Sequence, residues 1–165
     1  MFRSLALSCG LAALAPACLA DTLLPNAFTP PPGLDEFSSA PHSDWLEISG
    51  LSHHFQPDRR HWREVNPGLG LEREFTGTPW VMSAGYFRNS YDKGAAYVGG
   101  RWMPLALGPF RFGAYGLLAT GYPSPVLLLP AISVEAGRVG ANLVALPNLP
   151  GYSGYLGLQI RLKLN

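Results

Sequence analysis

The stretch YLGLQIRLKL, residues 155–164, decides the fold class. Leucine or isoleucine occupies every even-numbered position, whereas the odd-numbered positions carry tyrosine, glycine, glutamine, arginine and lysine. A period of two residues is that of a β-strand, because successive side chains point to opposite faces of a sheet. The stretch therefore predicts a strand with one apolar face and one polar face.

Seven further short segments precede this strand, each bounded by turn-forming residues. We place the eight strands at about 45–55, 68–76, 79–90, 95–105, 110–121, 126–136, 138–147 and 154–164. Segments of about 9–11 residues have the length of a tilted transmembrane strand. Three connections, at 76–78, 107–109 and 136–137, are short, and the other four are generally longer. Outer-membrane barrels alternate short periplasmic turns with long outward loops in this way.

Composition favours a membrane barrel over a soluble one. Charged residues make up 14% of the chain, against about 25% in an ordinary soluble domain. Aromatic residues lie near segment ends, as at the two membrane interfaces: Trp45, Trp80, Tyr86, Trp102, Phe110, Tyr122 and Tyr155. We predict an all-β, eight-stranded antiparallel transmembrane β-barrel over residues 45–165, monomeric and in the cell outer membrane. The alternative is a soluble periplasmic barrel for a small apolar ligand, with an apolar lumen and a charged exterior.

Residues 1–20 have the pattern of a signal peptide. Arg3 precedes an uncharged apolar stretch, and Cys18-Leu19-Ala20 places small residues before Asp21. A lipoprotein with Cys18 as its lipidated residue is a weaker alternative, because Pro16 stands where a small aliphatic residue is expected. We interpret residues 21–44 as a Pro-rich lead-in, or alternatively as an interfacial segment around Leu23, Leu24 and Phe28.

Both cysteines, Cys9 and Cys18, fall within the predicted leader. We therefore expect no disulfide and no zinc–thiolate site in the mature chain, and we predict neither a metal nor a cofactor. The net charge of +1 gives a nucleic-acid partner no electrostatic support.

The strand pattern also predicts the content of the lumen. Charges of both signs fall largely on inward positions and predict a paired network: Glu47, Glu72, Glu74, Arg101, Arg111, Glu135, Arg161 and Lys163. Five inward glycines could leave a cavity for an acyl chain, with tight packing as the alternative: Gly70, Gly85, Gly113, Gly140 and Gly157. Prolines near the outer rim could loosen strand pairing, or simply form turns: Pro123, Pro125, Pro130, Pro147 and Pro150.

Two polar clusters end outward-running strands and should meet at one rim. Ser52-His53-His54-Phe55 ends the first strand, and Arg88-Asn89-Ser90-Tyr91-Asp92 ends the third. A histidine beside a serine could serve acyl transfer, because histidine accepts a hydroxyl proton at neutral pH. The plainer interpretation is a solvated rim histidine and a turn-forming serine.

The order of motifs resembles the outer-membrane lipid A palmitoyltransferase family over about residues 46–165. The similar parts are the strand-1 histidine and five stretches: Asn66-Pro67-Gly68-Leu69-Gly70-Leu71, Asn89-Ser90, Trp102-Met103-Pro104-Leu105, residues 125–134 (PVLLLPAISV) and Ala145-Leu146-Pro147. The resemblance implies an eight-stranded barrel that moves a palmitoyl chain from a phospholipid to lipid A. Its partners would be those two membrane lipids.

The family's rim residues are a histidine, an aspartate and a serine. The serine matches Ser90, the aspartate falls on Asn89, and the histidine falls on His53 or His54. An amide at position 89 can orient a partner but cannot accept a proton. Strand alternation favours His54, because it places His54 and Ser90 on the apolar faces of their strands and hence on one side of the wall. A non-catalytic barrel for envelope integrity or lipid binding is the alternative function.

Overall fold

The computed structural model describes residues 23–55, 62–148 and 153–165, so the predicted signal peptide lies outside the described residues. The strands are β1 (His42–His54), β2 (Val65–Phe75), β3 (Trp80–Arg88), β4 (Gly94–Leu107), β5 (Phe110–Ala119), β6 (Val126–Ala136), β7 (Val139–Leu146) and β8 (Tyr155–Lys163). Among the described residues, no helix is long and apolar enough to cross a membrane.

The eight strands form one closed antiparallel barrel. Each strand pairs with its neighbours in chain order, and β8 returns to pair with β1 from Tyr155↔His54 to Lys163↔Trp45. Every strand therefore has a neighbour on both sides. The predicted fold is confirmed, with small differences at strand ends; β1, for example, begins at His42 rather than at Trp45.

The outer face is apolar and most charged strand residues point inward. Leu128 is 71% exposed on the outside, whereas Arg101 and Arg161 are each 1% exposed in the lumen. In the described strands, the charged side chains that the register places on the outer face lie near strand ends; they are Asp44, Arg73 and Arg88. An apolar exterior around a polar interior is the arrangement of a transmembrane barrel. The soluble alternative predicted a charged exterior and is wrong in this respect.

A charged network fills the half of the lumen that lies nearest the short connections between strands. Arg101 Nη2 donates to Glu72 Oε2 at 2.7 Å, and Arg161 Nε contacts the same oxygen. Arg161 also donates to Glu74 at 3.0 Å and to Glu135 at 2.8 Å. Because burying an unpaired charge is costly, these pairs account for five inward charged residues, two arginines and three glutamates, in one cluster. The predicted network is confirmed for them.

Five residues differ from expectation inside the lumen, and two of them, Tyr122 and Tyr155, were expected at a membrane interface but face the lumen. Glu47 has no cationic partner among the described residues and instead accepts hydrogen bonds from Tyr97 at 2.7 Å and Gln159 at 2.8 Å. Trp45 was expected at a membrane interface, but it is buried in the lumen with Arg161 4.2 Å above its ring. Lys163 lies over the same ring rather than beside a carboxylate.

The two ends of the barrel differ in the length of the connections between strands. The short turns carry Gly77, Gly108 and Gly137 with positive φ, a conformation that glycine adopts without steric cost. The longer connections, which join β1 to β2, β3 to β4, β5 to β6 and β7 to β8, share the opposite end. We call these ends the turn end and the loop end. The predicted rim residues all lie at the loop end.

Candidate functional site

A cavity of about 610 Å³ occupies the loop-end half of the lumen. Tyr97, Tyr115 and Gln159 line its inner end, next to the charged network. Apolar side chains form much of its wall: Phe87, Leu117, Leu127, Leu129, Val144 and Leu146. Polar side chains line its mouth: Ser52, His54, Asn66 and Ser90. Its volume is typical of a small-molecule site, about 300–1,000 Å³.

Only one of the five inward glycines lines this cavity, namely Gly157. The Tyr97 side chain occupies the space that a side chain at Gly70 or Gly85 would fill. The Trp102 backbone occupies the space beside Gly113, and the Val134 carbonyl leaves little space for a side chain at Gly140. Tight packing, the alternative interpretation, is therefore correct for four of the five.

His54 lines the cavity, whereas His53 does not. The His54 residue is 8% exposed, and its ring stacks on Trp62 with centroids 4.6 Å apart and planes 5° apart. Its Nδ1 atom is buried without a hydrogen-bond partner among the described residues. The His53 side chain is 67% exposed and its Nδ1 lies 3.2 Å from Glu64 Oε1. His54 is therefore the histidine that a ligand in the cavity would meet.

The alternation argument for His54 was wrong, although the residue lies in the cavity. The register of β1 shifts between Ser49 and Leu51, so Gly50 is an extra residue in the strand. The shift turns His54 inward, away from the outer face that holds Leu46 and Ile48. Ser90 lies beyond the end of β3, so strand alternation does not govern its direction. Both side chains nevertheless reach the lumen cavity.

Ser90 belongs to a chain of hydroxyl and amide groups. Its Oγ lies 3.4 Å from Ser52 Oγ, and Ser52 donates to Asn66 Oδ1 at 2.7 Å. Asn66 Nδ2 donates to the carbonyl of Arg88 at 3.0 Å, which fixes Oδ1 as the acceptor. A hydroxyl group has one proton, and Ser52 donates its proton to Asn66. Ser90 is therefore the donor in the Ser52–Ser90 contact. Ser52 and Asn66 were not predicted to be site residues, although both lie in stretches that the prediction used, Ser52-His53-His54-Phe55 and Asn66-Pro67-Gly68-Leu69-Gly70-Leu71.

Asn89 shapes the loop between β3 and β4 and does not contact His54 among the described hydrogen bonds. It is 0% exposed, and its Oδ1 accepts from the backbone N–H groups of Tyr91 and Lys93, each at 3.0 Å. Its Nδ2 donates to Gly121 O at 2.9 Å. All three of these hydrogen bonds go to backbone, so the Asn89 amide orders the loop that carries Ser90.

The described residues do not assemble a complete catalytic triad. No described hydrogen bond joins His54 to Ser90, although both line the cavity mouth. Glu64 Oε1 accepts from the His54 backbone N–H at 3.3 Å and contacts the His53 ring. In the part of the chain that the structure describes, no group of three or more His, Cys, Asp or Glu residues could hold a metal ion.

The ladder between β6 and β7 is incomplete beside the cavity, and we call the unpaired stretch the seam. The ladder between β6 and β7 extends from Ala136↔Val139 only as far as Ala131↔Val144. Beyond it, Val126–Pro130 pair with β5, while Ala145 and Leu146 pair with β8. Pro130 stands where this seam begins and lacks the N–H that a ladder bond requires. Leu127, Leu129 and Leu146 line the cavity directly behind the seam.

The other rim prolines lie outside the strands. Pro123 and Pro125 fall in the connection between β5 and β6, and Pro147 follows the end of β7. They fit the plainer interpretation as turn residues. Pro150 lies outside the described residues.

Three comparisons with known proteins yield one reported structural likeness. No protein-family model matches the chain, and no curated protein matches it significantly. Among solved structures, the chain is similar to the solution NMR structure of de novo designed TMB2.3, with 11% sequence identity and a TM-score of 0.49. The alignment covers 77% of this chain and 98% of that chain. At this level the likeness carries no argument, and the resemblance to lipid A palmitoyltransferases stays a prediction.

Proposed function

We propose that this protein is an outer-membrane acyltransferase that holds the acyl chain of a phospholipid in the lumen cavity and transfers it to lipid A. One observation carries the proposal: an apolar-walled cavity places a histidine and a serine, His54 and Ser90, at its mouth. An acyl chain in this cavity would present its ester group to those polar residues. The resemblance to lipid A palmitoyltransferases supplies the two lipids.

The reaction we propose is a double displacement through Ser90. Ser90 Oγ attacks the ester carbonyl while His54 accepts the hydroxyl proton. The tetrahedral intermediate collapses to an acyl-serine, and the lysophospholipid leaves with the proton from His54. A lipid A hydroxyl then attacks the acyl-serine, gives its proton to His54, and Ser90 recovers that proton as it departs. Catalytic hydrogen bonds of this kind often tighten only in the substrate complex.

The seam between β6 and β7 supports lateral entry of the donor lipid. The seam lies between the cavity and the lipid-facing surface, and leucine side chains line its inner side. An acyl chain entering there would pass from the bilayer to the cavity with no need to cross water.

A non-catalytic lipid-binding barrel is the second candidate. It is favoured by the role of Asn89, whose amide orders a loop, and by the position of Glu64, which engages His53 and the His54 backbone rather than the His54 ring. Without a carboxylate hydrogen-bonded to its ring, His54 would be a weaker base. The same cavity would then hold a lipid without cleaving it.

Reconstitution separates the two candidates. The purified barrel is placed in vesicles of phosphatidylethanolamine carrying an isotope-labelled palmitoyl chain, together with lipid A. Transfer of the label to lipid A by wild type, its loss in Ser90→Ala and His54→Ala, and its retention in the matched control His53→Ala would support the acyltransferase. Bound phospholipid without any transfer would support the binding protein. Transfer by Ser90→Ala would remove Ser90 from the mechanism.

A further inference from the structure

The segment before β1 runs along the outside of β2, β3 and β4 at the turn end of the barrel. We call residues 23–41 the N-terminal girdle. Leu24 N donates to Pro104 O at 2.8 Å, at the end of β4 that extends beyond β3. Asn26 Nδ2 donates to Gly77 O at 2.8 Å in the turn between β2 and β3. Further along, Phe37 packs against Phe75 of β2 with ring centroids 5.6 Å apart.

Two tryptophans of the outer wall fix the girdle in place. Trp102 Nε1 donates to Ala27 O at 2.8 Å, and Trp80 Nε1 donates to Thr29 O at 2.7 Å. Trp80 and Trp102 are register partners on β3 and β4, and their neighbours Val81 and Arg101 point into the lumen. The two indoles therefore face outward, on the lipid side. The girdle is thus attached to the membrane-facing surface and not to the lumen.

The girdle exposes apolar side chains that nothing in the described chain covers. Phe28 is 79% exposed and Leu34 is 97% exposed. Phe28 packs on one side only, against Trp102 at a centroid distance of 6.2 Å. Residues 23–34 contain no charged side chain, and the next charges after this segment are Asp35 and Glu36. An uncharged segment with exposed Phe and Leu beside outward tryptophans has the composition of a bilayer interface.

We propose that residues 23–34 lie in the interface of the bilayer at the turn end, with Phe28 and Leu34 inserted among the lipids. Lipid is the expected occupant because this surface continues the apolar outer face of the barrel. The segment carries no charge, so its insertion does not depend on anionic lipid. The alternative, a solvent-exposed linker, leaves both side chains in water. This inference depends on the barrel spanning a membrane and not on its acyltransferase activity.

Dye accessibility tests the insertion directly. Leu34→Cys and Glu36→Cys are made in the full chain with Cys9 and Cys18 replaced by serine, labelled with an environment-sensitive dye and reconstituted in phosphatidylcholine vesicles. Position 34 is suited to labelling because its side chain is almost free of contacts. Ile160→Cys, on the outer face of β8, provides a membrane-buried reference.

We expect the dye at position 34 to be quenched by nitroxide lipids and shielded from iodide, with the opposite result at position 36. Adding phosphatidylglycerol should leave both results unchanged. If positions 34 and 36 are equally open to iodide while position 160 is shielded, the barrel is inserted but the girdle is not, and the proposal is wrong. Insertion only with phosphatidylglycerol would also overturn it, since it would make the contact electrostatic.

Discussion

Replacing Glu72 by Gln should be among the most destabilising conservative changes in this barrel. The Glu72 side chain is fully buried and meets two guanidinium groups, those of Arg101 and Arg161. Its other oxygen accepts from Asn142 Nδ2 at 3.1 Å. Glutamine keeps the shape but removes the charge, so two buried cations lose their shared carboxylate. Breaking a buried ion pair in this way costs about 3–5 kcal/mol.

The free energy of unfolding can be measured by urea titration in detergent micelles, with tryptophan fluorescence and heat-modifiable gel mobility as readouts. Asp92→Asn is the matched control, because it removes a carboxylate that also pairs with two arginines, Arg63 and Arg88, but at the exposed rim. Solvent screens such pairs, so its unfolding midpoint should hardly move. Equal small effects of both substitutions would refute the stabilising role of the lumen network. If the Glu72→Gln protein never becomes heat-modifiable, the loss of stability is larger than expected and still has the predicted sign.

Three further predictions test the lipid-facing surface, the cavity and the loop. Ile160→Arg should cost about 2–4 kcal/mol if Ile160 lies near the bilayer midplane, whereas Leu164→Arg beyond the end of β8 should be much milder; equal costs in urea titrations would show that the membrane belt is misplaced. Val144→Trp should fill the cavity and abolish binding of a fluorescent fatty acid while the barrel stays heat-modifiable, and undiminished binding would place the acyl chain elsewhere. Asn89→Asp should not raise acyl transfer, because a carboxylate oxygen would replace the amide that donates to Gly121 O; a clear gain of transfer would contradict the loop-ordering role of Asn89.

The strand content could be predicted because one face of each strand is lipid-exposed and the other faces the lumen. Strand β8 is the clearest case, since its alternation is unbroken and its register to β7 has no irregularity. The lumen charges were predictable for the same reason, because Glu72, Arg101 and Arg161 fall on inward positions and need partners there.

The site was less predictable because it depends on breaks in that alternation. A single extra residue, Gly50, reverses the direction of every later side chain in β1. The Ser52–Asn66 hydrogen bond joins two strands across an irregular ladder, which no local pattern encodes. Conversely, glycines that suggested an empty lumen are packed, because Tyr97 on β4 fills the space beside Gly70 and Gly85.

Mass spectrometry of lipids from outer membranes tests the central claim most directly. Cells that express the wild-type protein, Ser90→Ala or His53→Ala are compared with cells that lack it. We predict that wild type and His53→Ala add one acyl chain to lipid A and form lysophospholipid in equal amount, and that Ser90→Ala does neither. Identical lipid profiles in all four strains, with the barrel heat-modifiable in each expressing strain, would contradict the acyltransferase account.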